Sequence, residues 1–232
     1  MLTNPKPNAT SSTCSQLLST YPEEWNAATV HPFLEACQQG TITTRQFNTW
    51  LVQDYLFVIG FTRMAARLLA IAPIEHFDTL LGGLTVLKEE LNWFQAKAAG
   101  RDLSAKAIPQ VTCQNYCNFM DSLANQSYAV QATAFWAIER SYNQGWKQHS
   151  PMSEPYAEFA ERWGNAGFSE YVEVLEQQAD SALAAASEQE REIARKTFLQ
   201  VTRLEKEFWQ MAFAARPGSI ASNHYATDLH RS

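Results

Sequence analysis

Three stretches of this chain carry apolar residues at alternating steps of three and four positions, each interrupted by a single carboxylate. Because an α-helix turns once every ~3.6 residues, positions with this spacing lie on one stripe of a helix. The interrupting acids are Asp54, Glu139 and Glu205. A chain with such stripes is predicted to fold into long, packed helices. The three stripes are Phe47, Trp50, Asp54, Phe57, Phe61, Met64, Leu68; Tyr128, Ala132, Phe135, Glu139, Tyr142, Trp146; and Ala194, Phe198, Val201, Glu205, Phe208, Ala212, Ala215.

Capping residues and helix breakers divide the chain into eight or nine predicted helices with short links. Gly40 favours a helix end, Thr43 or Thr44 can cap the next helix, and Pro73 stops it. The predicted helices cover about 12–21, 22–37, 44–72, 74–98, 112–124, 127–147, 156–163, 168–186 and 188–215. Because only helical patterns occur between the two ends, the predicted fold is an all-α multi-helix bundle.

A single domain accounts for the whole helical region. The chain has 232 residues, of which 46% are hydrophobic, and this is enough for one large core. Residues 1–11 are rich in Pro, Asn, Ser and Thr, and residues 217–232 lack periodicity. We therefore predict one helical domain over residues 12–216, between a flexible N-terminal tail and a C-terminal tail.

Charge and hydropathy exclude several classes of partner. A formal net charge of −6 argues against nucleic acid, because phosphate binding needs clustered Lys and Arg. The sequence has no basic amphipathic stretch for a membrane surface and no apolar run long enough to span a bilayer. The first residues also lack the apolar segment of a signal peptide. We expect a cytoplasmic protein that binds neither nucleic acid nor membrane.

The four cysteines fit reduced thiols in that compartment. Cys113 and Cys117 would share a face of a helix, but the sequence contains no Cys-x-x-Cys pair. We therefore expect neither a disulfide framework nor a zinc site.

A carboxylate on the core face of a helix is costly, because its charge loses water and needs buried partners instead. Any one of the three acids alone could be a structural polar group bonded to a nearby Tyr, Trp or Arg. Three on three helices instead suggest that the helices converge on one pocket. Its predicted aromatic walls are Trp50, Phe57, Phe135, Tyr142 and Phe208.

Such a pocket suits a flat, basic nitrogen heterocycle. A carboxylate can accept paired hydrogen bonds from an exocyclic amine and an adjacent protonated ring nitrogen, while aromatic rings sandwich the base. A second carboxyl, with its pKa raised by apolar surroundings, can donate a proton near neutral pH.

Metal and haem sites are the competing interpretation of acids in a helical bundle. Di-iron bundles use Glu-x-x-His motifs, and none of the five histidines has an acid three residues before it. A haem ligand is conceivable in His31, but this residue precedes a proline, and a helix-surface or capping role is favoured. We expect no metal and no cofactor.

Two further features are assigned no function. Gly82 and Gly83 lack the following Lys-Ser/Thr of a phosphate-binding loop. Glu89 and Glu90 flank an apolar stripe, so a solvated or rim position is expected for both. That stripe is Leu80, Leu84, Leu87, Leu91 and Phe94.

The residues on these stripes resemble the TenA family of thiaminase II-type enzymes, whose fold is the haem-oxygenase-like helical bundle. The matching segments are WLVQDY at 50–55, QNY at 114–116, FWAIE at 135–139 and EKEFW at 205–209. The resemblance extends over residues 17–216, and the order and spacing of the segments make it fairly specific.

The resemblance implies roles for particular residues. Asp54 would bind the amino group and ring nitrogen of a pyrimidine, Tyr116 would line the pocket, and Glu205 would be the general acid. One branch of the family has a catalytic cysteine where this chain has Ala134, and Glu139 matches the glutamate of the branch that lacks it. Phe57 also replaces a tyrosine that is common in the cysteine branch.

The function implied is hydrolysis of 4-amino-5-aminomethyl-2-methylpyrimidine, and of its formylated precursor as a further candidate, in thiamin salvage. Glu205 and Glu139 are the candidate catalytic residues. The substrate-binding candidates are Asp54, Glu139, Phe57, Tyr116, Trp50, Phe135, Tyr142 and Phe208. The alternatives are a non-catalytic pyrimidine- or thiamin-binding protein and a haem-oxygenase-like di-iron oxidase. A homo-oligomer is expected, since apolar helices outside such bundles often pair.

Overall fold

The computed structural model describes residues 13–99, 101 and 107–216 and contains only helices, turns and loops there. The α-helices are α1 Cys14–Thr20, α2 Pro22–Thr29, α3 Pro32–Gln38, α4 Thr44–Ile71, α5 Phe77–Ala99, α6 Val111–Ser122, α7 Tyr128–Gln148, α8 Ala157–Gly164, α9 Ala166–Ala185 and α10 Glu188–Phe213. The prediction of an all-α, single-domain helical bundle is confirmed. The predicted tails, 1–11 and 217–232, lie outside the described residues.

The predicted helix over residues 22–37 is wrong, because the chain forms two helices there. Val30 and His31 are extended, with φ of −118° and −138°, and α3 starts afresh at Pro32. A proline lacks the amide hydrogen that would continue a helix and pushes the residue before it out of the helical region. His31 becomes the N-cap of α3, and its Nδ1 accepts a hydrogen bond from the amide of Phe33.

Local signals explain where the long helices begin. Thr43 and Gln46 form a capping box at the start of α4, and Ser187 and Glu190 form one at the start of α10. The helix predicted from residue 74 begins instead with a 3-10 turn, Ile74–His76, before α5.

Helix α7 is the centre of the bundle. It packs against α10, α9, α8 and α4, and it is buried on almost all sides. Helix α4 also packs against α5 and α6. The middle turns of α4, α7 and α10 therefore face one another inside the core. No helix in the described part of the chain is long and apolar enough to cross a membrane.

Candidate active site

The three acids of the predicted stripes lie in the core. Asp54 on α4, Glu139 on α7 and Glu205 on α10 retain 1%, 9% and 2% of their exposed surface. Burial raises the pKa of each of them, and the charge of Glu205 raises the pKa of both Asp54 and Glu139 further. Asp54 and Glu139 line one small cavity, and Glu205 bonds to Tyr116, whose ring packs against the cavity-lining Phe57, so the three helices direct their acids to one region of the core.

Asp54 ends a chain of hydrogen bonds through the core. The indole Nε1 of Trp50 donates to the hydroxyl of Tyr142 at 3.2 Å, and that hydroxyl donates to Oδ1 of Asp54 at 2.5 Å. The second carboxyl oxygen of Asp54, Oδ2, is buried and has no hydrogen-bond partner. Oδ2 is therefore free to bond another molecule, as a donor while the carboxyl is protonated and as an acceptor once it is ionised.

Glu205 is paired with Tyr116. The hydroxyl of Tyr116 on α6 donates to Oε1 of Glu205 at 2.5 Å. Burial raises the pKa of Glu205 to about 8, although the hydrogen bond from Tyr116 opposes the shift. Glu205 is therefore mainly a neutral carboxylic acid at neutral pH and has a proton to donate.

A cavity of about 20 Å³ lies among these groups, with room for about one water molecule. Of the predicted site residues, Asp54, Phe57, Glu139 and Tyr142 line it. Its other walls are Val58, Phe61, Leu87, Glu90, Ile138 and Trp163.

The remaining predicted residues lie behind the cavity wall. Tyr116 and Phe208 pack against Phe57, with ring centroids 4.8 Å and 5.6 Å from it. Phe135 stacks on Phe61 at 4.7 Å. Trp50 contacts the site through its hydrogen bond to Tyr142, and Glu205 through Tyr116.

Glu90 is more deeply buried than its sequence pattern predicts. Of the expected solvated or rim position, the solvated alternative is wrong, because Glu90 on α5 is 8% exposed and lines the cavity. The indole Nε1 of Trp163 donates to its Oε1 at 2.7 Å. Burial raises the pKa of Glu90 to about 7, opposed by that hydrogen bond and by the nearby Arg162.

A signal for Glu90 was present in the sequence. The residues of α5 that are buried follow the same alternating steps as the other stripes but pass through a glycine and Glu90 rather than through Leu84 and Leu91. The buried residues of α5 are Leu80, Gly83, Leu87, Glu90, Phe94 and Ala98. Leu84 and Leu91, each one position further along the chain, form an entirely apolar stripe with the same spacing. The sequence pattern therefore favours the apolar stripe over the fourth acid-containing stripe, which runs through Glu90.

Among the residues that the structure describes, no group of three or more His, Cys, Asp or Glu side chains is arranged to hold a metal ion. Cys113 and Cys117 share a face of α6, and none of the four cysteines forms a disulfide. Ala134 is fully buried on α7, next to the aromatic pair Phe135 and Trp136.

Fold and site together define a class: an all-α bundle whose buried, protonatable carboxyls and aromatic rings surround a small cavity. The chain belongs to the TENA/THI-4/PQQC family, which it matches over residues 20–215.

Similar proteins cover most of the chain. A protein of Glycine max named "Probable bifunctional TENA-E protein" is 36% identical over 200 residues, covering 81% of this chain and 87% of that protein. An "Aminopyrimidine aminohydrolase" of Halalkalibacterium halodurans is 26% identical, covering 83% of this chain and 91% of the relative. The solved structure of a TenA homologue from Pyrococcus furiosus superposes with a TM-score of 0.82 at 30% identity, over 86% of this chain and 98% of that one.

Proposed function

We propose that this protein hydrolyses 4-amino-5-aminomethyl-2-methylpyrimidine to the 5-hydroxymethylpyrimidine and ammonia. The observation that carries the proposal is the buried, unpartnered Oδ2 of Asp54 in a cavity that also holds Glu90 and Glu139. A flat base with two adjacent N–H donors can form hydrogen bonds with this carboxyl group. The family membership and the aminopyrimidine aminohydrolase relative support the same reaction.

Asp54 anchors the ring in this proposal. Its Oδ2 accepts the exocyclic 4-amino group, and Oδ1, which has a second lone pair beside the bond from Tyr142, accepts the protonated ring nitrogen. A positive ring next to Asp54 favours the carboxylate form, which reverses the effect of burial on its pKa.

The empty cavity is smaller than a pyrimidine ring, so side chains must separate on binding. Phe57 is the wall between the cavity and Tyr116, since its ring lines the one and packs against the other. Movement of this ring would open the cavity toward the Tyr116–Glu205 pair. We assign Glu205 as general acid on this basis.

The bond to the amine breaks with help from the ring itself. The lone pair of the 4-amino group pushes electrons toward the exocyclic methylene, the C–N bond breaks, and ammonia leaves with its electron pair. Glu205 supplies a proton to the aminomethyl nitrogen, so that neutral ammonia leaves, and the water that then adds to the methylene gives a proton back to Glu205 as the alcohol forms. Glu139 holds the departing amine. Ala134 offers no nucleophile, so this chain, like the cysteine-lacking branch it resembles, forms no covalent ring adduct at that position.

The test is product analysis with purified protein and 4-amino-5-aminomethyl-2-methylpyrimidine. We expect ammonia and the hydroxymethylpyrimidine in equal amounts, with and without a chelator. Tight binding without ammonia release would instead identify a non-catalytic pyrimidine-binding protein. Activity that chelators abolish and iron restores would identify a di-iron enzyme. The formylated substrate, assayed in parallel, decides which precursor is preferred.

We also propose that the protein is a cytoplasmic homo-oligomer. Several apolar side chains are strongly exposed in the single chain, including Ile74 at 78%, Val111 at 76% and Ile108 at 70%. Covering such side chains favours self-association. Light scattering at the expected mass of one chain, 26.2 kDa, would contradict the proposal.

A further inference from the structure

A second, much larger cavity lies outside the small one. It has a volume of about 580 Å³, lies between α5 and the α8–α9 region, and is open to solvent. Leu87, Glu90, Glu139 and Trp163 line both cavities. We call these four residues the neck and the larger cavity the outer groove. A ligand anchored at Asp54 that extends past the neck would enter the outer groove.

Tyr171 on α9 also lines the outer groove. Its hydroxyl is buried and has no hydrogen-bond partner. Burial, followed by the charges of Glu139 and Glu90, raises the pKa of this phenol well above its usual value. The hydroxyl therefore stays protonated and stands near both acids of the neck. Because this hydroxyl has no partner within the protein and its side chain lines the outer groove with both acids, it can bond a group that a ligand brings into the groove.

Gly83 on α5 provides the space for this hydroxyl. A Cβ atom at position 83 would lie 2.5 Å from the Tyr171 oxygen and 3.3 Å from the carbon that bears it. At the adjacent Gly82, a Cβ atom would meet nothing within 4 Å. The glycine that the fold requires is therefore the one beneath the Tyr171 hydroxyl.

We propose that Tyr171 is a specificity-determining residue that, together with Glu90 and Glu139, binds the protonated aminomethyl group of the substrate at the neck. This inference rests on the proposed function. An ammonium group has three N–H donors, and two carboxylates and a phenol oxygen supply three acceptors. Once the substrate is bound, the hydroxyl of Tyr171 accepts a hydrogen bond from the ammonium group.

The site formed by Tyr171, Glu90 and Glu139 distinguishes the substrate from the product by charge. The cationic substrate gains charge-assisted hydrogen bonds, whereas the hydroxymethyl product has no charge and fewer donors. The positively charged residue among those that line the outer groove is Arg162. Its guanidinium lies 4.4 Å from the ring centroid of Trp93, and it lowers the pKa of Glu90, which favours the carboxylate form at the neck.

The first test is Tyr171→Phe, which removes only the hydroxyl. We expect KM for the aminomethylpyrimidine to rise about tenfold, the scale of one hydrogen bond to a charged group. The inhibition constant of the hydroxymethyl product, a neutral ligand of nearly the same size, should change less than about twofold. An equal change in both constants would show a structural role for Tyr171, and no change in either would show no role. Both results overturn the proposal.

The second test uses the paired glycines. Gly83→Ala should raise KM for the amine as Tyr171→Phe does, whereas Gly82→Ala should leave it unchanged. In a Tyr171→Phe background, Gly83→Ala should add little, because the closest clashing atom is gone. Fully additive effects would contradict a shared action through the hydroxyl.

Binding measurements distinguish failure of this inference from failure of the proposed function. If the wild-type protein releases no ammonia, calorimetric Kd values for the two pyrimidines replace KM and the inhibition constant. Tyr171→Phe should then still weaken binding of the amine selectively. Parallel weakening of both ligands, or of neither, would overturn the inference whatever the catalytic outcome.

Discussion

Four buried acids lie in or next to one small cavity, and their burial sets their chemistry. Asp54, Glu90, Glu139 and Glu205 all have pKa values raised by burial, and the charge of one carboxyl raises the pKa of another. Carboxyls packed this way cannot all be ionised, so some hold protons at neutral pH. Burial favours the protonated form of each acid, and a cationic ring bound next to Asp54 would favour its carboxylate form, so the site can hold both an anion that binds a base and an acid that donates a proton.

Glu205→Gln tests the assignment of the proton donor. The amide preserves the shape of the side chain and can still accept from Tyr116, but it cannot donate a proton as a carboxylic acid does. We expect kcat to fall about 10²-fold or more, with the circular dichroism spectrum unchanged. Glu207→Gln, a substitution of an exposed acid on the same helix, is the matched control and should keep wild-type kcat. A near-normal kcat for Glu205→Gln would make Glu205 a structural acid.

The same acid predicts a pH-dependent stability. The folded pKa of Glu205 is about 8, whereas an unfolded glutamate titrates near ~4.3. Because the folded state binds this proton more tightly, the stabilisation is fully present below the unfolded pKa and is lost as pH rises toward the folded pKa. We expect Tm to fall between about pH 5 and pH 8, and to fall less in Glu205→Gln. Scanning calorimetry across this pH range measures Tm. An equal change of Tm with pH in the wild-type protein and in Glu205→Gln would contradict the raised pKa of Glu205.

At the scale of elements, two differences between the predicted and the observed helices show what hydrophobic periodicity can and cannot predict. The break between α2 and α3 was readable from Pro32, because the geometry of a proline acts locally. The position of Glu90 was harder to predict, because the stripe through Leu84 and Leu91 is the more apolar one, yet α5 packs against α4 and α9 with the stripe through Gly83 and Glu90 buried. Sequence spacing assigns residues to a face but does not choose between two adjacent apolar faces.

The N-cap of helix α4 predicts an effect of one substitution on the stability of the protein. Thr43 caps α4 through its hydroxyl, which accepts from the amide of Gln46 at 3.3 Å. Thr43→Ala should lower the free energy of unfolding by about 1 kcal/mol in denaturant titrations. Thr112→Ala is the control, since α6 begins at Val111 with Gln110 as its N-cap and Thr112 lies inside the helix. Equal losses in the two variants would show that capping is not the cause.

At the scale of the whole molecule, the sequence predicted the helical bundle and the core-facing positions of Asp54, Glu139 and Glu205, because long helices carry their packing face in their own periodicity. It did not predict which residues line the cavity. Glu205 and Tyr116 lie behind Phe57, whereas Glu90 and Trp163 stand in the wall. Which residues line the cavity and which lie behind its wall depends on how helices distant in sequence are rotated against one another. The periodicity of each helix does not specify these rotations.

The most direct test of the account is the ratio of kcat/KM for 4-amino-5-aminomethyl-2-methylpyrimidine to that for thiamin, measured on one preparation. Thiamin requires expulsion of a bulky thiazole, Ala134 offers no nucleophile to assist it, and Glu139 can hold an ammonium group instead. We predict a ratio of about ten or more, since each ~1.4 kcal/mol of charge-assisted contact contributes a factor of about ten. Glu139→Ala should reduce this ratio. Equal or faster turnover of thiamin, or a ratio unaffected by Glu139→Ala, would contradict the account.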